Sequence, residues 1–173
     1  MSNKILKQIH QKLLKNKKTI SIAESCTGGQ LSSRLTSLPG SSGYFILGVV
    51  TYSNKSKQRL LKIPAKTISR YGAVSRQVAM LMAKNIRKKM HTDFALSITG
   101  IAGPLKNRTF RHRPSSKTNP AVKPANTKPV GTVFIALNSE KKSLCRLFLL
   151  SGKRENIRSK STHEALRLLN QNI

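Results

Sequence analysis

The amino-acid sequence predicts an α/β fold: one three-layer domain over residues 1–173, with a mixed, mostly parallel sheet flanked by helices. Three observations carry that expectation. Short apolar runs of strand length, Tyr44 to Val50, Val133 to Leu137 and Leu147 to Leu150, alternate along the chain with stripes of helical period. Two strand-like segments, around Ile22 and Ile98, run directly into glycine-bearing turns, where α/β folds keep their ligands. The last two apolar runs are separated only by a short polar segment, so they read as a hairpin added to a parallel core.

The elements follow in order. Leu6, Ile9 and Leu13 form a helical stripe between lysines, and Thr19 to Ala23 alternates as a strand does. Ser25, Thr27, Gly28 and Gly29 make a tight turn into a helix carrying Leu31, Leu35 and Leu38, which ends at Pro39-Gly40. Tyr44 to Tyr52 is the second strand region, and Ser53-Asn54 caps a helix through Leu60 and Leu61 that stops before Pro64. Ser75 caps the clearest helix, in which Val78, Met82, Ile86 and Met90 recur every four residues; Arg87, Lys88 and Lys89 near its end suit the helix dipole. Phe94 to Ile98 is a short buried strand entering the turn Thr99 to Pro104. Leu105 to Thr127 has no glycine and little apolar periodicity, which predicts an extended mobile loop. Thr132 to Leu137 and Leu144 to Leu150 form the hairpin around Asn138 to Lys142, and a final helix spans Glu155 to Asn170.

Charge is the most unusual bulk property. Against 33 Lys plus Arg stand 5 Asp plus Glu, a net charge of +28 on 173 residues. Seven of the cations (Lys106, Arg108, Arg111, Arg113, Lys117, Lys123 and Lys128) fall in or just after the loop, yet removing them leaves +21 elsewhere. A spread of this kind fits a compositional bias or a nucleic-acid-binding face, since lysines and arginines release counterions from phosphates. Aromatics at 5% give no base-stacking motif. Cys26 and Cys145 are far apart and lack metal-ligand spacing, so neither a disulfide framework nor a zinc site is expected. The N-terminal segment has lysines but no apolar core of signal-peptide type, and no run is long enough to span a membrane. A cytoplasmic setting is the expectation.

The chemistry concentrates in Ala23-Glu24-Ser25-Cys26-Thr27-Gly28-Gly29, between a strand and a helix N-terminus. Free backbone N–H groups and the helix dipole there suit a phosphate or an oxyanion, while a plain helix cap with permissive glycines explains the same residues structurally. A nucleophilic serine needs a base. His10, His91, His112, His163 and the single aspartate, Asp93, all lie outside the glycine-rich turns, so a Ser-His-Asp relay is poorly supplied. A lysine is the remaining choice, and Lys57 stands one turn into a helix that begins at the end of a buried strand. If that strand runs parallel to the one before Ser25, both residues meet at one sheet edge. A neutral lysine near pH 7 requires its pKa to fall from about 10.4, at a cost of roughly 4 kcal/mol supplied by burial and nearby cations.

Five motifs then stand in a recognisable order: Ala-Glu-Ser-Cys-Thr-Gly-Gly (23–29), Val-Thr-Tyr-Ser-Asn followed by Lys57 (50–57), Gly-Ala-Val-Ser (72–75), Thr-Gly-Ile-Ala-Gly-Pro (99–104) and Lys-Pro-Val-Gly-Thr-Val (128–133). Over about residues 5–170 the chain resembles the CinA C-terminal family of competence/damage-inducible proteins, whose stand-alone members are nicotinamide-nucleotide amidases. The resemblance implies hydrolysis of nicotinamide mononucleotide to nicotinic acid mononucleotide and ammonia, a step in pyridine-nucleotide salvage. It implies no metal or organic cofactor, and a homodimer or higher homo-oligomer. Ser25 then corresponds to the nucleophile and Lys57 to its general base, with Glu24 orienting the site. Tyr52, Asn54 and Thr99 would place the amide and its oxyanion, and Arg154 would suit a phosphate. Thr27, Gly28, Gly29 and Gly100 would let the nucleotide approach closely. The nucleotide-pyrophosphatase-like domain that precedes this one in longer members is expected to be absent.

Two departures bear on the activity. The family's short glycine-containing link is here the 23 residues Leu105 to Thr127, and Lys153 replaces a common acid before the arginine. The long basic segment reads as an inert insertion, a lid for an anionic nucleotide or a nucleic-acid tether. The alternative function is therefore a catalytically impaired family member that binds nucleic acid. A further alternative makes Cys26 the attacking group.

Overall fold

A computed structural model describes residues 3–103 and 128–173; the predicted loop over 105–127, with its cations and His112, lies outside them. Helix α1 (Asn3–Lys15) buries the Leu6, Ile9 and Leu13 stripe. Strand β1 (Ile20–Glu24) leads into α2 (Gln30–Leu35), a short 3-10 turn (Ser41–Gly43) and β2 (Phe45–Val50). Three helices follow, α3 (Asn54–Leu61), α4 (Ala65–Tyr71) and α5 (Arg76–Met90), before β3 (Phe94–Gly100). The hairpin β4 (Thr132–Ser139) and β5 (Ser143–Leu149) precedes α6 (Arg154–Asn170).

The five strands form one sheet in the order β2-β1-β3-β4-β5. β1 pairs in parallel with both β2 and β3, while β4 is antiparallel to β3 and to β5. Four of the five strands thus point the same way and β4 alone opposes them, which is the predicted mixed, mostly parallel sheet. Helices cover both faces. On one side α1, α2 and α6 pack Leu6, Ile9, Leu31, Leu35, Ile157 and Leu169 onto Ile20, Ile22 and Ile98. On the other, α5 lays Val78, Met82 and Ile86 against Ala23 and Ala95.

Local chemistry explains most boundaries. Ser53 caps α3 through Ser56 N–H, and Ser56 returns a bond to the Ser53 backbone, a reciprocal capping box. Ser75 caps α5 through Val78 N–H, and α5 closes on His91 in the left-handed region. The structure also corrects the sequence expectations. Helix α2 stops at Leu35, before Leu38, because Thr36 turns its hydroxyl back onto the Ser32 and Ser33 carbonyls. Helix α4 was not expected: it has one buried side chain, Ile68, so there is no apolar stripe to read. β3 runs on through Gly100, since β4 offers Phe134 and Val133 as ladder partners for Thr99 and Gly100. All five residues of β1 are buried, its serine included; the Ser21 hydroxyl is satisfied by that of Thr92.

Candidate active site

The three parallel strands β1, β2 and β3 all end at the same edge of the sheet. Connections from β1 to β2 and from β2 across to β3 leave in opposite directions, so a crevice opens beyond their C-terminal ends. A cleft of about 290 Å³ lies there. Ser25 and Cys26 enter it from the end of β1, Tyr52, Asn54 and Lys57 from the β2–α3 segment, and Thr99 to Gly103 from the end of β3; Ala73, Val74 and Arg154 complete the lining.

Within the cleft, Lys57 Nζ donates to Ser25 Oγ at 3.0 Å and to the Thr51 carbonyl at 2.7 Å. Lys57 is 1% exposed and Ser25 7%. No carboxylate meets the amine, and burial brings its pKa down from 10.5 to about 8. At pH 7 about a tenth of the side chain is therefore neutral, the form a proton acceptor needs, and the fraction rises with pH. Burial acts the other way on the neighbouring thiol, pushing Cys26 up to about 11, which keeps it protonated.

The remaining expected residues divide between the cleft and its support. Arg154, the first residue of α6, donates to the Tyr52 hydroxyl at 2.7 Å and so bridges the rim. Thr99 donates its hydroxyl to the Ala73 carbonyl at 2.9 Å, which leaves its oxygen lone pairs for an incoming N–H. Gly100 is needed without a side chain, because a Cβ there would stand 2.8 Å from the Val133 side chain, 2.9 Å from the Thr132 carbonyl and 3.1 Å from Cys26 Sγ. Glu24 does not face the cleft. Its fully buried carboxylate accepts from the N–H groups of Gly29, Leu31 and Ser32 and from the Ser32 hydroxyl. Three of the backbone donors at this turn, those of Gly29, Leu31 and Ser32, are thus filled by the chain's own carboxylate, which fixes the turn carrying Ser25. Gly28 and Gly29, both at positive φ, shape that turn and line a separate depression between α2 and α6; Thr27 is buried beneath them.

Among the described residues no histidine and aspartate relay is assembled at the cleft. Asp93 sits at the opposite end of the sheet with Lys18, and His10 lies against Tyr44. Lys153 is an exposed N-cap residue of α6 whose side chain makes no capping bond. Two contributors escape sequence reasoning. The Thr51 carbonyl that holds Lys57 is backbone and has no residue signature. Arg158 donates through Nε and Nη2 to the Thr27 carbonyl, at 3.3 and 2.8 Å, tying α6 to the turn that carries Ser25. Its one available signal is its position one helical turn after Arg154, which is easily lost among 33 cations.

Comparison with known proteins places this geometry. The model of the CinA C-terminal domain matches residues 2–111 and 121–173. A CinA-like protein of Geotalea daltonii is 43% identical over 155 residues, 90% of this chain and 33% of that protein. One from Leptospira biflexa is 41% identical over 174 residues, covering all of this chain and 38% of the relative. The chain spans about a third of the length of the curated relatives it matches. Among solved structures, the competence damage-inducible protein A (ComA) of Klebsiella pneumoniae superposes with a TM-score of 0.84 at 25% identity, over 98% of this chain and 95% of that one. The competence/damage inducible protein CihA of Agrobacterium tumefaciens gives 0.82 at 31% identity, over 96% and 92%. By family model, by identity to its relatives and by superposition, the chain belongs to the CinA C-terminal domain family.

Proposed function

We propose that this chain is an amidohydrolase that converts nicotinamide mononucleotide and water to nicotinic acid mononucleotide and ammonia. The observation that supports it most is the 3.0 Å contact from a buried, pKa-lowered Lys57 to Ser25 Oγ, a nucleophile and base within hydrogen-bond reach. In this reading Ser25 Oγ attacks the carboxamide carbon while Lys57 takes its proton. The tetrahedral intermediate then collapses: the C–N bond breaks, Lys57 returns the proton to the departing nitrogen, and ammonia leaves an ester on Ser25. A water gives a proton to Lys57 and attacks that ester, releasing the carboxylate and restoring the serine.

The Thr51 carbonyl keeps the amine aimed at Ser25 through the cycle. Tyr52, Asn54 and Thr99 place the amide and its developing oxyanion, and Arg154 at the rim meets the substrate phosphate, for which a planar guanidinium is suited. Glu24 acts through the turn it holds, without touching substrate. The deciding experiment is ammonia release from nicotinamide mononucleotide by the purified chain. Release by wild type, its loss in Ser25→Ala and its retention in Cys26→Ala are expected. No release from wild type, or unchanged release from Ser25→Ala, overturns the reading.

A further inference from the structure

Ser25 opens a hydrogen-bonded turn: the Gly28 N–H donates to the Ser25 carbonyl at 3.1 Å, with Cys26 and Thr27 between them. The two ends of this turn are anchored from inside the fold. Before it, the Glu24 carbonyl accepts from the Thr51 N–H at 2.8 Å, and after it the Glu24 carboxylate takes the Gly29 N–H. The middle is held from outside. Arg158 on α6 sets Nε and Nη2 on the Thr27 carbonyl, which otherwise receives the Gln30 N–H at a long 3.4 Å.

The surroundings are shaped for this contact. The third nitrogen of the guanidinium, Nη1, donates to one oxygen of Glu155 at 2.9 Å, and the other oxygen accepts from the Gln30 side chain, so bonds run on from α6 to the first residue of α2. Glu155 is one of only 5 acids in the sequence. Gly28 leaves the space the guanidinium uses, since a Cβ there would stand 3.3 Å from Arg158 Nη2. All three nitrogens of a planar fork are engaged, which an ammonium on a flexible stem does not reproduce. Arg158 is not among the residues lining the cleft, so its effect on the chemistry runs through the turn.

We propose that Arg158 is a positioning residue for the reaction: by holding the Thr27 carbonyl it keeps Ser25 Oγ within reach of Lys57. The assignment rests on Ser25 being the nucleophile of the proposed amidase. Lys57 is fixed separately by the Thr51 carbonyl, so the 3.0 Å contact depends on where the turn carries Ser25. A displacement of about 1 Å costs on the order of 10²-fold in rate. Helix α6 thus serves the cleft twice, with Arg154 at the rim and, one helical turn on, Arg158 behind the turn.

Steady-state ammonia release, read together with the rate at which a fluorophosphonate labels Ser25, tests the assignment; the label reports on the serine whatever the substrate. In Arg158→Met, kcat is expected to fall about 10–100-fold with KM changed by less than about threefold, and labelling to slow comparably. Arg158→Lys should recover part of the loss. Millimolar guanidinium should restore part of the activity of Arg158→Ala, where the side chain's space is empty. Arg167→Met removes an i,i+3 ion pair with Glu164 further along the same helix and is expected to match wild type in both readouts. Unchanged kcat and labelling in Arg158→Met and Arg158→Ala overturn the proposal. So does a loss carried by KM alone, one matched by Arg167→Met, or one that neither lysine nor guanidinium relieves. If one of the Met and Ala variants does not fold, the other still reads the contact. A wild type that takes the label but releases no ammonia breaks the amidase reading alone, and the labelling rates then decide the role of Arg158; a wild type that takes no label overturns both.

Discussion

A lysine lies beyond each end of β1, and the two titrate in opposite directions. At the N-terminal end Lys18 is half exposed and reaches Asp93 at 2.7 Å; the hydrogen bond and the opposite charge raise its pKa. Burial pushes the Asp93 carboxyl up, but hydrogen bonds from Lys18 and from the Thr19 N–H and hydroxyl outweigh it and hold it below the usual range. At the C-terminal end Lys57 is buried against a hydroxyl and a carbonyl, and its pKa falls to about 8. One end of the strand is arranged as a surface ion pair, and the other spends stability to keep an amine ready to accept a proton. Both ends meet a cation; only solvent access and the presence of a carboxylate separate them.

The sharpest way to break this comparison is at Lys57. Lys57→Met is expected to lower ammonia release by about 10²–10⁴-fold, the usual contribution of a positioned proton-transfer group. Its thermal midpoint should hold or rise, because a buried amine is replaced by an apolar chain of similar length. A variant that loses activity only by unfolding would remove the distinction. The pH dependence sharpens it next. Activity should climb with pH and level off above about 8, falling about tenfold per pH unit below that as Lys57 is protonated; a flat profile from pH 6 to 9 contradicts a lysine base. The linked stability has the same sign: the unfolded lysine, with its ordinary pKa of 10.5, binds more protons than the native one between about 8 and 10.5, so this group makes the fold more stable as pH rises through that window.

Smaller effects lie with Glu24 and Lys18. Glu24→Gln keeps the shape but removes the charge from the carboxylate that satisfies three backbone donors, and should cost about 2 kcal/mol, read as a fall of roughly 4–8 °C in Tm. Ammonia release should drop with it, since the turn that aims Ser25 loosens. The smallest change is expected from Lys18→Met. An exposed ion pair stabilises little, so Tm should scarcely move, with activity unchanged. The Lys18 contribution, where present, is full below its unfolded pKa and is lost as pH rises through the raised native value. A large activity loss in this variant would show that the two ends are coupled.

Ser25 and Lys57 were legible before any fold was seen. The first stands at a strand-turn-helix junction and the second one turn into a Ser-capped helix, and only parallel pairing of β1 with β2 was needed to bring them together. The hairpin, α1 and α5 were legible for the same reason, since their side-chain periods record a buried face. The role of Glu24 was not. One of five acids beside a serine looks like a site residue, and nothing in the order of residues tells that its carboxylate turns back under α2. Arg158 was hidden by abundance, and α4 by having one buried side chain.

By itself the sequence determined the α/β alternation, the turns at the strand ends and the choice of Ser25 and Lys57 as candidates, because local periodicity and residue chemistry act over short separations. Tertiary structure alone decided how those groups behave. It buried Lys57 away from every carboxylate and so set its proton affinity. It turned Glu24 inward, where its carboxylate accepts from the backbone at the start of α2. Desolvation and contact between distant segments depend on distances in space, which neighbouring positions in the chain do not encode.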